Sequence, residues 1–423
     1  MMDIAAEPAG QHVCVLGLGY VGLPTAAMLA VNGFRVTGVD LRWDVVQAVS
    51  AGEVPIEEVG LKTVVQAAVN SGNLQAQLTP CAAEAFIIAV PTPVDGQHRA
   101  DLSYVENAAR SIVPHLQRGN LVVLESTVPP GTTDGLLTAT LKESGLRPGD
   151  DFYVAHCPER ILPGSILTEL VKNDRVVGGI DRQSAERAAA IYRRIVEGQV
   201  FVTSAVVAEL AKLVENASRD VGIAFANEVA RISRRFEADG REVIALANHH
   251  PRVSILSPGP GVGGHCIPVD PWFLVDAAPE LACLMRTARE VNDRQPVWVA
   301  ERAIAELEGI ADPKISVWGV AYKANVDDAR ETPALHVLQT LEANGARVSV
   351  VDFHVKRFRY QLDDIEASVA DADCILLLTD HREFSFFEPA AIGSKMRNRL
   401  LFDTRSCLSR ERWEKAGFRV ITL

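Results

Sequence analysis

The run Gly17-Leu18-Gly19-Tyr20-Val21-Gly22 constrains this chain more than any other stretch, because of what flanks it. His12–Leu16 before it reads as a short strand. Leu23–Val31 after it reads as an apolar helix with Pro24 in its first turn, where the missing N–H costs nothing. Gly33 ends that helix and Phe34–Asp40 reads as the next strand. A G-x-G-x-x-G in this setting is the turn of a dinucleotide-binding βαβ unit. The first glycine makes the tight turn, the second lets a pyrophosphate approach, and the third packs helix on strand. The helix N-terminus adds free N–H groups and a dipole that suits phosphate. Asp40 closes the second strand, where a carboxylate accepts hydrogen bonds from the adenosine ribose and repels a 2′-phosphate, so the cofactor expected is NAD. Arg42, two residues on, is the one feature that leaves room for NADP. Tyr20 and Val21 belong to the same cofactor loop.

Further strands are expected at Ala85–Val90, Leu121–Glu125, Phe152–His156 and Arg175–Gly178, with helical stretches between them. That alternation means βαβ units and a mainly parallel sheet. The texture changes near residue 200. From Thr203 and Ser204, both N-cap types, to Gly240, a C′ type, there is no proline and only Gly222 interrupts. A helix of about 35 residues would span ~50 Å, long enough for a spine between domains or across a dimer. Residues 251–271 are too rich in Pro and Gly for regular structure, 280–308 read as a second helical stretch, and a fresh α/β pattern follows. In it, Lys314–Val320, Arg347–Asp352, Cys374–Leu378 and Arg399–Asp403 read as strands and Pro333–Asn344 as a helix. The expected fold is α/β, with two doubly wound Rossmann-like domains joined by a helical middle domain with a long spine helix. The boundaries expected are 1–203 for NAD, 204–308 for the middle and 309–423 for the last domain. A length of 423 residues suits two to three domains.

Charge narrows the partners. The chain carries 42 Lys plus Arg against 54 Asp plus Glu, a formal −12, which repels nucleic acid and anionic membranes. No apolar run approaches the ~20 residues of a spanning helix, and the first residues, MMDIAAEPAGQ, lack the pattern of a secretory signal. Seven cysteines without a CxxC pair point to a reducing cytoplasm rather than a disulfide framework. Cys14, Cys81, Cys283 and Cys374 sit among apolar residues and read as core fillers; no metal site is expected.

Cys266 is different. It lies in Pro258-Gly-Pro-Gly-Val-Gly-Gly-His-Cys266-Ile-Pro-Val-Asp270-Pro271, where glycines let a substrate approach the sulfur. His265 beside it would favour the thiolate, and Asp270 would orient or deprotonate a water. The alternative is a buried cysteine in a tight loop. Next to a dinucleotide site, the arrangement suggests that a thiolate adds to an aldehyde, the adduct loses hydride, and a thioester is hydrolysed. Lys212, Asn216 and Arg219 fall at i, i+4 and i+7 on one helix face, either a solvated face or the wall of a site. In a site, Lys serves as general base for an alcohol and Asn as donor to an oxyanion.

The motifs GLGYVGLPTA (17–26), VPTP (90–93), ESTVPPGTT (125–133), CPERILPG (157–164), AKLVENASRDVGIAFANE (211–228), PGPGVGGHCIPVDP (258–271) and GVAYKANVDDARETPA (319–334) occur in this order. Together they resemble the UDP-glucose/GDP-mannose dehydrogenase family over nearly the whole chain. PERxLPG, NDRVVGG (173–179) and GGHCIPVDPWF resemble the branch that acts on UDP-N-acetyl-D-mannosamine, whereas UDP-glucose members carry PEFL and GGSCF. The resemblance implies four-electron, NAD-dependent oxidation of the C6 hydroxymethyl of a UDP-sugar to a carboxylate, with UDP-N-acetylglucosamine or UDP-glucose as alternative substrates. It implies Cys266 as nucleophile, Lys212 as catalytic lysine and Asn216 as donor to the thiohemiacetal oxygen. Asp270, Glu159 and Thr127 would manage the hydrolytic water, Glu159 having a surface pair with Arg160 as its plainer alternative. Thr92, Thr127 and Arg330 fall to the cofactor. Arg160, Ile161, Arg219, His250, Arg252, Gly263, Tyr322 and Lys323 fall to the UDP-sugar, the cations focusing a local field in an acidic protein. A homodimer or higher oligomer is expected. A two-electron hydroxyacid dehydrogenase or a dinucleotide-binding sensor would release one or no NADH per sugar instead of two.

Overall fold

The computed structural model describes residues 10–423 apart from Glu57 and Pro163. The N-terminal stretch just read as lacking a signal lies almost entirely outside the described residues. The chain packs as two compact units, Met1–Glu215 and Asn216–Leu423.

The first unit holds an eight-stranded sheet among its described residues. In chain order its strands are β1 (His12–Leu16), β2 (Arg35–Val39), β3 (Leu74–Gln77), β4 (Ala85–Ile88), β5 (Leu121–Leu124), β6 (Tyr153–His156), β7 (Arg175–Gly179) and β8 (Val200–Ser204). Their order in space is β3-β2-β1-β4-β5-β6-β7-β8. All pairs are parallel except β6 with β7, which run antiparallel through Ala155↔Gly179 and His156↔Gly178. The order reverses between β1 and β4, and the crevice outside the carboxyl ends at such a switch is where this fold binds ligands. Strands β1, β4, β5 and β6 are buried along their length, as continuous apolar runs covered on both faces must be. Val13, Val15, Leu23, Phe34, Ile87 and Val123 fill one side, and Leu16, Phe86, Ile88, Val122 and Val154 the other.

The second unit carries a five-stranded parallel sheet: β9 (Lys314–Trp318), β10 (Arg347–Val351), β11 (Cys374–Leu377), β12 (Leu400–Asp403) and β13 (Arg419–Thr422). The order is β10-β9-β11-β12-β13, again with a switch point, here between β9 and β11. Trp318 is fully buried beneath Phe384, with ring centroids 5.0 Å apart.

Between the sheets in sequence runs the helical middle. Its long helix is Ala205–Arg235, of 31 residues, and Cys283–Ala305 forms a second. Gly240 does not end the long helix as expected. The chain turns at Glu237, a non-glycine residue at φ 58, and Gly240 instead opens the helix Gly240–Ala247, capped by the Asp239 carboxylate. Gly240 is required because a Cβ there would lie 2.7 Å from Ala230 Cα. Thr203 and Ser204 close strand β8 rather than standing as free caps. Of the cysteines read as core, Cys14 and Cys374 are buried, Cys81 is half-buried, and Cys283 is exposed at the head of its helix. That correction follows from helix geometry: its neighbour Leu284 is exposed too, so local apolarity did not mean burial.

Candidate active site

The cofactor loop is shaped by contacts that admit only glycine at two of its three positions. A Cβ on Gly17 would lie 2.4 Å from Ala89 O, and one on Gly22 1.9 Å from Gly17 O. A Cβ on Gly19 would meet nothing, so that side of the loop is open to an incoming phosphate. The helix Gly22–Val31 starts there with no acidic residue in its first turn. Asp40 braces the loop from β2: Leu18 N donates to Oδ2 (3.0 Å) and Arg42 N to Oδ1 (2.9 Å). The Arg42 guanidinium is drawn to Asp44 on the surface, which weakens the case for a 2′-phosphate. A dinucleotide fits this cradle: glycine where backbone crowds, open space at Gly19, and a fixed carboxylate at the ribose end.

The next strand ends bring further residues together. Thr92 Oγ1, after β4, donates to Thr127 O, after β5, at 2.7 Å, so the two predicted threonines share one edge. The loop beyond Thr127 is held by Glu209 of the long helix, which accepts from Gly131 N (2.6 Å), Thr133 N (2.8 Å) and Thr133 Oγ1 (2.6 Å). Glu159, after β6, is buried and does not make a surface pair with Arg160. Its Oε2 accepts from Arg175 Nη1 at 2.6 Å and its Oε1 from Arg160 N at 2.7 Å. The Arg160 side chain pairs with Glu215 instead, and Ile161 packs on the core. Lys212, on the long helix, is only 9% exposed, an uncommon place for a lysine without a task.

In the second unit, Asn216 is half-buried and Arg219 exposed. Asn216 Nδ2 donates to Asp270 Oδ2 at 2.6 Å, which brings two predicted catalytic residues into contact. Asp270 starts the helix Asp270–Ala277, and its N–H donates to Cys266 O at 2.8 Å. Cys266 is exposed on the turn before that helix. The glycines preceding it are required by packing. A Cβ on Gly263 would lie 2.8 Å from Glu331 O and 2.9 Å from Tyr322 Cβ, and one on Gly264 would lie 3.1 Å from the Tyr322 ring. The Cys266 loop thus rests on the segment carrying Tyr322, Lys323 and Arg330. His265 sits where a cationic form is disfavoured. Desolvation first, then the Arg330 charge beside it, holds its imidazole below the ordinary range, against the pull of Asp328 and Glu331. His250 and Arg252 are exposed on a turn where Arg252 N donates to His250 Nδ1 at 3.3 Å.

Several supports were not singled out from sequence. Asn227 Oδ1 accepts from Gly259 N (3.0 Å) and Gln295 Nε2 donates to Gly259 O (2.9 Å), anchoring the entry to the nucleophile loop. Asp352 Oδ2 accepts from Val320 N (2.7 Å) and Ala321 N (3.1 Å), while His381 Nδ1 accepts from Asn325 N (2.9 Å). The only signal for these was polar residues inside otherwise apolar elements.

A dinucleotide loop at the switch point of a doubly wound sheet, with buried lysine and glutamate and an accessible glycine-loop cysteine in the same chain, defines an NAD-dependent oxidoreductase. Residues 11–196 match the NAD binding domain of the UDP-glucose/GDP-mannose dehydrogenase family, 206–294 its central domain and 316–410 its UDP binding domain. The chain is 47% identical to the UDP-N-acetyl-D-mannosamine dehydrogenase of Methanocaldococcus jannaschii, over 100% of this chain and 99% of that one. It is 45% identical to the NDP-N-acetyl-D-galactosaminuronic acid dehydrogenase of Ralstonia nicotianae, over 97% and 99%. Among solved structures, that of the UDP-D-ManNAc dehydrogenase of Pyrococcus horikoshii superposes with a TM-score of 0.91 at 40% identity, covering 97% of this chain and 98% of that one. The chain belongs to the UDP-glucose/GDP-mannose dehydrogenase family, and it is an NAD-dependent oxidoreductase of UDP-sugars. No helix among the described residues is long and apolar enough to cross a membrane.

Proposed function

We propose that this chain oxidises the C6 hydroxymethyl of UDP-N-acetyl-D-mannosamine to a carboxylate. The observation that carries the reading is full-length similarity to a dehydrogenase named for that sugar, together with the intact GGHC nucleophile loop. Lys212 takes the hydroxyl proton as the alcohol becomes an aldehyde. Bound NAD⁺ supplies the hydride acceptor for both oxidations, two per sugar. The Cys266 thiolate adds to the aldehyde carbon, and Asn216, which commits one amide N–H to Asp270, offers the other to the thiohemiacetal oxygen. Loss of the second hydride leaves a thioester on Cys266. Water, managed by Asp270, Glu159 and Thr127, adds to the carbonyl carbon, the C–S bond breaks, and acid and thiolate separate. Tyr322, Lys323, Arg160, Ile161, Arg219 and Gly263 serve the UDP-sugar, and His250 and Arg252 reach a substrate of the same or the neighbouring subunit.

Residues 1–203 are assigned to NAD, 204–308 to the central domain and 309–423 to UDP. We place the enzyme in the cytoplasm, in keeping with an odd number of cysteines without paired spacing. We also assign it a homodimer or higher oligomer built on the long helix, where Val207, Val214, Phe225 and Ile232 are 48%, 48%, 52% and 58% exposed. The deciding experiment counts NADH released from a panel of UDP- and GDP-sugars. Two NADH per UDP-N-acetyl-D-mannosamine is the expected result, and equal activity on UDP-glucose would defeat the sugar assignment. UDP-N-acetyl-D-galactosamine belongs in the panel because the Ralstonia relative is named for that sugar's acid.

A further inference from the structure

Behind Glu159 lies a cluster of polar groups sealed in the core of the first unit. Glu125, directly after β5, is 1% exposed and Glu159 7%. Tyr192, on the helix Arg182–Tyr192, donates its hydroxyl to Glu125 Oε1 at 2.6 Å, and Thr25, on the cofactor-loop helix, donates to Oε2 at 3.3 Å. Arg175 of β7 donates to Glu159 Oε2 and stands 5.6 Å from the Tyr192 ring centroid. The Cys157 thiol is pushed up to about 12 by burial and carries no charge. Two carboxylates thus answer to one guanidinium, the cation among the described groups acting on Glu125, which are Glu159, Arg175, Tyr192 and Thr25, with the Cys157 thiol beside them. Burial first, then the Glu159 charge, pushes the Glu125 carboxyl well above the usual carboxylate range; Arg175 and the Tyr192 and Thr25 hydrogen bonds oppose this.

We propose that Glu125 is a positioning residue for the hydrolytic half of the reaction, acting on Glu159 through Arg175. While neutral, it leaves the guanidinium wholly to Glu159, whose two oxygens are then both occupied by donors. Once ionised, it draws Arg175 toward itself and releases Glu159 Oε2 to take a proton from the attacking water. The water oxygen bonds to the thioester carbon, its proton passes to Glu159, and the C–S bond breaks to return the thiolate. This inference rests on the reading of Glu159 as a residue that manages the hydrolytic water.

The test follows acid release from the UDP-sugar aldehyde, saturated with NAD⁺, across the neutral pH range. In the wild type the rate rises through one ionisation. In Glu125→Gln that rise is gone and the rate at its alkaline end falls roughly tenfold below wild type, with the KM for the sugar unchanged. In Tyr192→Phe, which removes a donor to ionised Glu125, the rise moves to higher pH. A merely structural role would lower the rate by the same factor at every pH. A wild-type rise in Glu125→Gln overturns the inference. Should that variant fail to fold by circular dichroism, an unmoved rise in Tyr192→Phe overturns it instead. Glu159→Gln separates the two readings. If it releases acid at the wild-type rate, the hydrolytic reading of Glu159 has failed. If it is slow while Glu125→Gln keeps its rise, only the present inference has.

Discussion

In the proposed mechanism Cys266 and Lys212 act on different halves of one reaction, so their loss is separable by substrate. Cys266→Ser should still attack the aldehyde but stall, because an ester is less electrophilic than a thioester. Lys212→Ala should slow alcohol oxidation by about 10²–10⁴-fold yet oxidise a supplied aldehyde better than the alcohol. Free acid released by the cysteine variant at the wild-type rate would mean that the hydrated aldehyde is oxidised without a covalent adduct. His156 makes a second case at this scale. It is fully buried on β6, neither ring nitrogen makes a well-formed hydrogen bond among the described residues, and burial, only partly offset by the nearby Leu124 backbone, holds it down to about 3. In the unfolded chain it titrates near ~6.5. Between those values only the unfolded state takes the proton, so stability drains away as pH falls below the unfolded pKa. His156→Leu should lack this loss, gaining roughly 2 kcal/mol on the wild type between pH 7 and about 5. Urea midpoints at the two pH values check it; parallel pH slopes for the two proteins would refute it. The Glu125 contribution has the opposite sign but is common to both proteins. The Glu125–Arg175 pairing was not legible in sequence: the two stand 50 positions apart, and only the β5–β6–β7 pairing in the sheet makes them neighbours.

At the scale of elements, the segment from Val320 to Glu331 shows how the loop proposed to bind the UDP-sugar is kept in shape. Asn325 and Glu331 sit at φ 58 and φ 49, each costing on the order of 1 kcal/mol for a residue with a Cβ. The strain is held by hydrogen bonds from outside the loop: Asp352, His381 and Thr379, whose Oγ1 donates to Ala321 O at 2.7 Å. His381→Ala should therefore raise the KM for the UDP-sugar several-fold while sparing kcat on saturation. An unchanged KM in steady-state kinetics would show that the loop holds itself. Strands and their starts were readable because apolar runs and glycine breaks are local signals; β1, β4, β9 and β11 fall within a few residues of expectation. Strand β8 was missed because Val200–Ser204 is an edge strand with mostly half-exposed residues, followed at once by a helix. The antiparallel turn of β7 against β6 was equally hidden, since strand direction depends on where the chain returns.

For the whole molecule, the exposed apolar side chains of the long helix are the main unfinished business. Phe225→Glu with Ile232→Glu, one turn-pair apart on the same face, should convert the proposed oligomer to a 45.8 kDa species in sedimentation. A wild-type protein already of that mass at micromolar concentration would remove the helix from consideration as an interface. The two-sheet architecture was legible because the glycine loop dictates a βαβ start and alternation dictates the rest. Which polar groups lie buried together was not, because burial is set by the packing of distant segments.

The central place of β1 also sets an order of events during synthesis. Val13 pairs with Ala85, and the Gly17 turn closes against Ala89 O. During synthesis β1 therefore waits for β4 before it has both its neighbours. At about 5–20 residues per second that wait lasts several seconds. Until then β1 is an apolar strand with one edge unpaired. The loop at Gly17 gains its wall at Ala89 only once β4 has emerged, so residues 13–89 are the stretch over which that turn of the dinucleotide loop is assembled.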